Sequence, residues 1–305
     1  MKKYILFIIF FVFGLTSVFA QDEETKEKDK PVTSTFESGY LIDNQTVFIP
    51  DVKTLEYAIQ HKFGSMDNGK SDLWGIYSPG ANIRLGLNYV PVKNLQIGIG
   101  ATKKNMYTDF NAKWAVLKQT EKNKIPVSVA LYGVVAIDGR NESSFGTGQI
   151  VDTKGPTLPG SVELNDRLSY FSQLIIGRKF TDWLSLQAAA SYTHYNTVGW
   201  DGDHDKIGIH FNGRVKFSPQ SSLIFNYDLP LKIKDISEQM EWTVANDPLP
   251  NLCVGVEIAT YTHAFQIYIG TADGIIPQDV MMNNRNDWKD KGLAIGFTIT
   301  RLWMF

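Results

Sequence analysis

The densest set of potential ligands in this 305-residue chain is Asp201-Gly202-Asp203-His204-Asp205. Carboxylates at alternate positions match the first three ligand positions of a calcium loop, which surrounds a hard cation with oxygen donors. The rest of that motif fails. Lys206 stands where the turn glycine belongs, and Asn212 replaces the closing glutamate. The segment therefore reads as a solvated loop, with a metal site at Asp201, Asp203 and Asp205 as the alternative. His194 and Asn196 could serve a serine nucleophile in interfacial lipid hydrolysis. No serine follows His194 at the two-residue spacing such a set needs, so no catalytic residue is assigned. Gly146-Thr147-Gly148 lacks the third glycine of a nucleotide fingerprint. Cys253 is the only cysteine, which excludes a disulfide scaffold and a thiolate metal cluster. No cofactor is expected.

The remaining polar chemistry is distributed but patterned. Glu56, Lys62, Arg84, Lys113, His210, Asn212, Arg214, Lys216, Asp228 and Glu257 alternate with mostly apolar neighbours, as do Gln60, Asn82, Asn88, Gln173, Gln187, Asn226 and Gln266. Placed on one wall, they could line an aqueous path and tune its selectivity, or pair with one another and close it. Five Lys/Arg against three acids in this set lean toward anions.

The element that puts them on one wall is the β-strand, whose side chains alternate between two faces. Ile207, Ile209, Phe211, Gly213, Val215 and Phe217 oppose Gly208, His210, Asn212, Arg214 and Lys216. Leu55, Tyr57, Ile59, His61 and Phe63 oppose Glu56, Ala58, Gln60 and Lys62. About twelve such segments follow one another: 52–63, 79–90, 95–103, 107–119, 125–137, 166–180, 184–197, 207–217, 221–230, 252–260, 263–272 and 291–305. Apart from 104–106, their connections alternate long and tight, the pattern of an up-and-down transmembrane barrel. After the N-terminus no stretch is long and apolar enough for a helical span. The fold class is thus all-β, a transmembrane antiparallel barrel of about 12 strands.

Composition agrees. A net charge of −2 excludes a strongly basic nucleic-acid binder. The chain has 18 Phe, 13 Tyr and 7 Trp, yet a mean hydropathy of only −0.16. An apolar lipid face averaged with a polar lumen face gives that value, and aromatic girdles at two interfaces account for the rings. Tyr77, Tyr89, Phe110, Trp183, Tyr195, Trp200, Trp242, Trp288 and Trp303 are the candidate girdle.

Met1-Lys2-Lys3, the apolar run 4–18 and Val18-Phe19-Ala20 read as a signal peptide, 1–20, cleaved before Gln21. Residues 21–30 carry no apolar side chain, and 31–50 show no clean period. Together, 21–50 are expected to form a periplasmic tail and lead-in, and 51–305 the barrel. The closing strand puts Leu293, Ile295, Phe297, Ile299, Trp303 and terminal Phe305 on one face. Phe297, Trp303 and Phe305 resemble the C-terminal signal read by the barrel assembly machinery.

The runs YLIDNQTVFIP (40–50), LEYAIQHKFG (55–64) and NIRLGLNYVPVKNLQIGIG (82–100) resemble a family of outer-membrane β-barrel proteins from Bacteroidota. The likeness spans about Phe36 to Phe305. It implies fold and a Gram-negative outer-membrane location, and it transfers no catalytic or binding residue. The expected function is a porin-like passive channel for small polar solutes, not an enzyme. The alternatives are a structural or adaptor barrel that anchors periplasmic partners through 21–50, and an interfacial lipid hydrolase. Expected partners are outer-membrane lipid, the assembly machinery and periplasmic proteins, with no nucleic acid.

Overall fold

The computed structural model describes residues 29–145, 149–151, 155–157, 162–199, 201–237, 241–243, 246–290 and 292–305. The expected signal peptide lies outside the described residues. Twelve strands close into one antiparallel barrel. They are β1 (Thr54–Ser65), β2 (Asn82–Val92), β3 (Leu95–Thr102), β4 (Thr108–Leu117), β5 (Ser128–Ile137) and β6 (Leu168–Lys179). The second half comprises β7 (Leu184–Tyr195), β8 (Asp205–Lys216), β9 (Ser221–Pro230), β10 (Asn251–Ala259), β11 (His263–Gly270) and β12 (Ala294–Met304). Each pairs with its sequence neighbour, and β12 closes on β1, with Ile299 opposite Ile59. All twelve lie within a few residues of the expected segments.

Closure leaves no unpaired edge, so every backbone group in the wall is satisfied within the wall, as an apolar surround requires. The two faces invert the arrangement of a water-soluble protein. Leu85, Leu87, Ile97, Ile99, Phe110, Ile209, Phe211, Val254, Val256 and Ile267 are exposed on the outside. Glu56, Lys62, Arg84, Lys113, His210, Asn212, Arg214, Asp228 and Glu257 are buried inside. Burying a charge without a partner is costly, so something must occupy the lumen.

Two segments do. Residues 36–50, expected in a lead-in outside the barrel, run inside it and are corrected to an internal plug. The chain enters at the tight-turn end, where Val32 N donates to Gln119 O (2.8 Å). It rises to a short hairpin that pairs Tyr40 with Gln45 and Leu41 with Asn44. It then returns to the same end, where Lys53 N donates to Val90 O (2.8 Å). At the hairpin tip Ile42 adopts a left-handed φ of 59°, which a β-branched residue rarely does. The wall holds it there: Gln266 accepts from Ile42 N (2.7 Å), and Thr298 donates to Ile42 O (3.2 Å). The second segment enters from the long-loop end. It runs between β11 and β12 and carries α1 (Pro277–Asn283), with Val280 and Met281 buried. Among the described residues, the long loops also pair three short strands, 149–151, 155–157 and 197–199. The sequence reading did not anticipate this small sheet.

Candidate functional site

The lumen is the candidate site, and its two sides differ. Strands β1 to β4 and β8 to β12 turn charges and amides inward because those residues occupy one parity of each strand. Arg84 donates twice to Asp109 (2.8 and 2.7 Å) and once to Gln60 (3.0 Å). Gly86 and Gly100 make room for that guanidinium: a Cβ on Gly100 would lie 2.4 Å from both Arg84 Nη2 and Asp109 Oδ2. His210 Nδ1 meets Asp228 (2.7 Å), and its Nε2 meets Ser191 (2.8 Å). Arg214 pairs with Glu37 of the plug (2.6 Å), and Glu257 lies 4.0 Å away. Lys216, half-buried near the tight-turn end, reaches the same Glu37 (3.4 Å). Glu56 accepts from Gly39 N (3.1 Å) and Gln96 (3.0 Å), and Lys113 donates to Gln45 (2.9 Å). Asn212 accepts from Gln187 (3.1 Å), and Gln187 also donates to Gln45 O (2.8 Å). Asn44 donates to Asn226 and to Asp228.

The opposite side is apolar. Ala130, Tyr132 and Val134 of β5, Phe171 and Ile175 of β6 and Ala189 of β7 point inward and pack on Phe36, Leu41 and Val47 of the plug. Polar and apolar contacts interleave around the hairpin: Gln187 of β7 accepts from Val47 N (3.0 Å), and Ile224, Cys253 and Tyr268 of β9–β11 belong to the same apolar cluster as Leu41 and Ile42. Lys62 joins the two inserted segments. Its ammonium lies 2.5 Å from Asp43 at the hairpin tip and donates to Ala272 O (2.8 Å) and Gly274 O (2.7 Å) of the loop.

All ten lumen residues singled out from sequence thus face inward, nine of them fully buried. Sequence reasoning missed Asp109, the partner of Arg84, although it shares the inward parity of Asn111 and Lys113. It also missed the apolar inner face of β5, where Ala130, Tyr132, Val134 and Ala136 are buried and both parities carry apolar residues. Tyr195 was placed in the girdle. It shares the parity of Ser191 and Thr193, and its hydroxyl meets Tyr107 inside the mouth (3.3 Å).

The acidic loop is not a solvated ribbon, and its carboxylates do not converge. Asp201 accepts from Thr243 (2.7 Å), Asp203 from Lys206 (3.3 Å) and Ser237 (2.5 Å), and Asp205 from Tyr192. Asp203 and His204 are buried. Among the described residues no group of three or more His, Cys, Asp or Glu could hold a metal ion. His194 sits on the outward face with Nδ1 on Asp205 (2.7 Å) and Nε2 on Asn196 (3.0 Å). With both nitrogens engaged, the ring has none left to activate a serine. At the C-terminus Phe305 is exposed, and Arg301 stacks 4.9 Å over the Trp303 ring. Phe297 stacks on His61 with centroids 5.0 Å apart.

Beyond the strands, burial opposes the charge on Lys104, but Asp279 and Asp273 outweigh it and hold this ammonium above its usual range. Burial likewise keeps the Tyr107 phenol protonated far above its usual range.

A family described as "Membrane bound beta barrel domain (DUF5777)" matches residues 36–303, a span that begins inside the plug. No curated protein matches the sequence. Among solved structures, the chain is similar to the COG4313 outer membrane channel from Pseudomonas putida F1 (11% identity, 84% of this chain and 97% of that one, TM-score 0.49). It is also similar to the NanC porin (7%, 82% and 99%, TM-score 0.46). The KdgM porin in complex with disordered oligogalacturonate is a third (8%, 83% and 99%, TM-score 0.43). At these identities and scores no function carries across.

Proposed function

The chain belongs to that family of membrane-bound β-barrel domains, and from this premise we propose that it is an outer-membrane, porin-like passive channel for small polar solutes. Its N-terminal segment closes the path at rest. The tight-turn end then faces the periplasm and the long loops face outward. One observation carries the reading: side-chain hydrogen bonds and ion pairs fasten the plug to β1, β2, β4, β7, β8, β9, β11 and β12. Water and a polar solute can replace those bonds at a net cost of about 0.5–1.5 kcal/mol for each neutral one and about 1.5–3 kcal/mol for each made to a charged group. The apolar cluster that holds Phe36 and Val47 with β5 and β6 has no such substitute. Opening is therefore a parting of the hairpin from the polar wall while Phe36 and Val47 stay docked.

The charge count sharpens the expected selectivity. Wall cations Lys62, Arg84, Lys113, Arg214 and Lys216 number five. Wall acids Glu56, Asp109, Asp228 and Glu257 number four, and the plug adds Glu37 and Asp43, giving five against six. The anion lean read from sequence disappears with the plug in place and shrinks to a single charge without it.

Ser38 of the plug and Thr300 of β12 have hydroxyls 3.0 Å apart. A Ser38→Cys/Thr300→Cys disulfide would bolt the hairpin to the polar wall. In planar bilayers the native chain should show openings that vanish on oxidising this variant and return on reduction. A native chain that never conducts, and whose liposomes swell in no solute, would refute the channel. The same sealed lumen favours an adaptor barrel as the second reading. It predicts that deleting 22–35 abolishes capture of a periplasmic partner while insertion continues. No catalytic role is proposed for His194.

A further inference from the structure

At the long-loop mouth, above the plug, lies a cavity of ≈ 250 Å³. It is lined by side chains of the inserted loop, the 138–167 loop and the β7–β8 connection. At roughly 30 Å³ per water, it holds the equivalent of about eight waters, the scale of one sugar ring. Six of its eight charged side chains form ion pairs. Lys104 meets Asp279 (3.0 Å), Arg140 meets Asp138 (2.6 Å) and Lys206 meets Asp203 (3.3 Å). Arg167 donates to the carbonyls of Asp138 (3.0 Å) and Arg140 (2.6 Å) and stacks on Phe145. With Arg167 and Asp166 the lining carries four charges of each sign and so no net charge.

What the lining does offer is unspent hydrogen-bonding capacity. Asp166 is 6% exposed; one carboxylate oxygen accepts from Glu163 N (2.9 Å), and the other is buried with no partner among the described residues. The Thr197 hydroxyl is likewise buried with no partner among them. The Tyr107 and Tyr195 hydroxyls share one hydrogen bond between them, and Asn105 donates to Tyr107 (3.0 Å). Buried polar atoms are ordinarily paired. A carboxylate oxygen wants a donor, while threonine and tyrosine hydroxyls can give or take. A ligand with several hydroxyls on a small ring meets all of these demands at once. Leu168, Val198, Pro248 and Met282 supply apolar surface for its carbon skeleton.

We infer that this mouth cavity is a binding site for a neutral monosaccharide-sized polyol, held chiefly by Asp166, Thr197 and the Tyr107–Tyr195 pair. The inference rests on the channel reading only in naming the solute that the path would take. Its test therefore reads binding and not conduction.

The full chain in detergent is titrated calorimetrically with D-glucose, D-galactose and D-mannose, and with D-glucuronate and L-glutamine as charged and zwitterionic comparators. At least one neutral hexose should bind in the millimolar range or tighter, with both comparators weaker by about tenfold or more, since their charges would be desolvated where each lining cation is already engaged. Asp166→Asn keeps an acceptor for Glu163 N but removes the charge, and should weaken the sugar about tenfold. Thr197→Val, isosteric and remote from the 163–166 turn, should weaken it several-fold and serves if Asp166→Asn fails to fold. No heat with any hexose at tens of millimolar, tighter binding of glucuronate or glutamine, or unchanged affinity in both variants would overturn the assignment. A chain that binds sugar but never conducts would sink the channel and leave this site standing. One that conducts and binds none would do the reverse.

Discussion

Replacing Lys62 by Met should unlatch the lumen. The methionine retains most of the apolar stem, so packing changes little, but the ammonium disappears. Three partners lose it: Asp43 at 2.5 Å, Ala272 O at 2.8 Å and Gly274 O at 2.7 Å. Lys62 and Asp43 are both almost fully buried, so the carboxylate is left in the lumen without a countercharge. Removing one member of a buried pair costs about 3–5 kcal/mol. At about 1.4 kcal/mol per factor of ten, the parted state gains some 10²–10³-fold in population. Cys253 reports it directly. It is the only cysteine in the chain, is 0% exposed, and lies in the lumen cluster with Leu41 and Ile42. A water-soluble thiol reagent reaches it only after the hairpin tip separates from β10. When reclosing outpaces labelling, the labelling rate follows the parted population, so Lys62→Met should accelerate it by about 10²–10³-fold. Adding Asp43→Asn removes the orphaned charge and should recover much of the loss, the signature of a direct coupling. Labelling within about threefold of native in Lys62→Met, or no recovery in the double variant, would show that the pair does not latch the plug.

Other perturbations test neighbouring parts of the argument. Gly100→Ala drives a Cβ to 2.4 Å from both members of the Arg84–Asp109 pair, and should lower urea stability in lipid vesicles by about 1–3 kcal/mol; an unchanged midpoint would contradict that packing. Reversal potentials across a salt gradient should stay close to zero, given five cations against six carboxylates with the plug in place; strong selectivity of either sign would contradict the pairing. The Lys104 contacts to Asp279 and Asp273 raise its folded pKa above 10.5, so their stabilisation is fully present at neutral pH and is lost only as pH rises through that folded value. Trp288 fluorescence should thus show an alkaline loosening of the loop that Lys104→Met lacks, and an acid-side transition lost in that variant would reverse the sign.

The barrel itself was legible in residue order. Each strand divides two environments, lipid and lumen, and a period of two records that division, as in Ile207 to Lys216. The loop alternation added direction. The plug was not legible, for a physical reason: residues 38–47 are buried on every side, so no second environment exists to imprint an alternation. A related effect blurs β5, where lipid lies outside and the plug's Phe36 lies inside, so both parities are apolar. Asp109 and Tyr195 are different, since their strand parity already pointed inward and went unused. Nor could the acidic loop be judged from spacing. Asp201, Asp203 and Asp205 stand two apart in sequence, but their side chains diverge to Thr243, Lys206 and Tyr192.

Sequence by itself determined the wall: which residues face lipid, how many strands close, and that the interior would be charged. Only the tertiary structure decided what those charges are bonded to. A strand's periodicity encodes the polarity each face meets, whereas the identity of a buried partner depends on contacts between segments far apart in the chain. Lys62 with Asp43 and Ala272, and Arg214 with Glu37, are contacts of that kind, and they make a polar lumen a closed one.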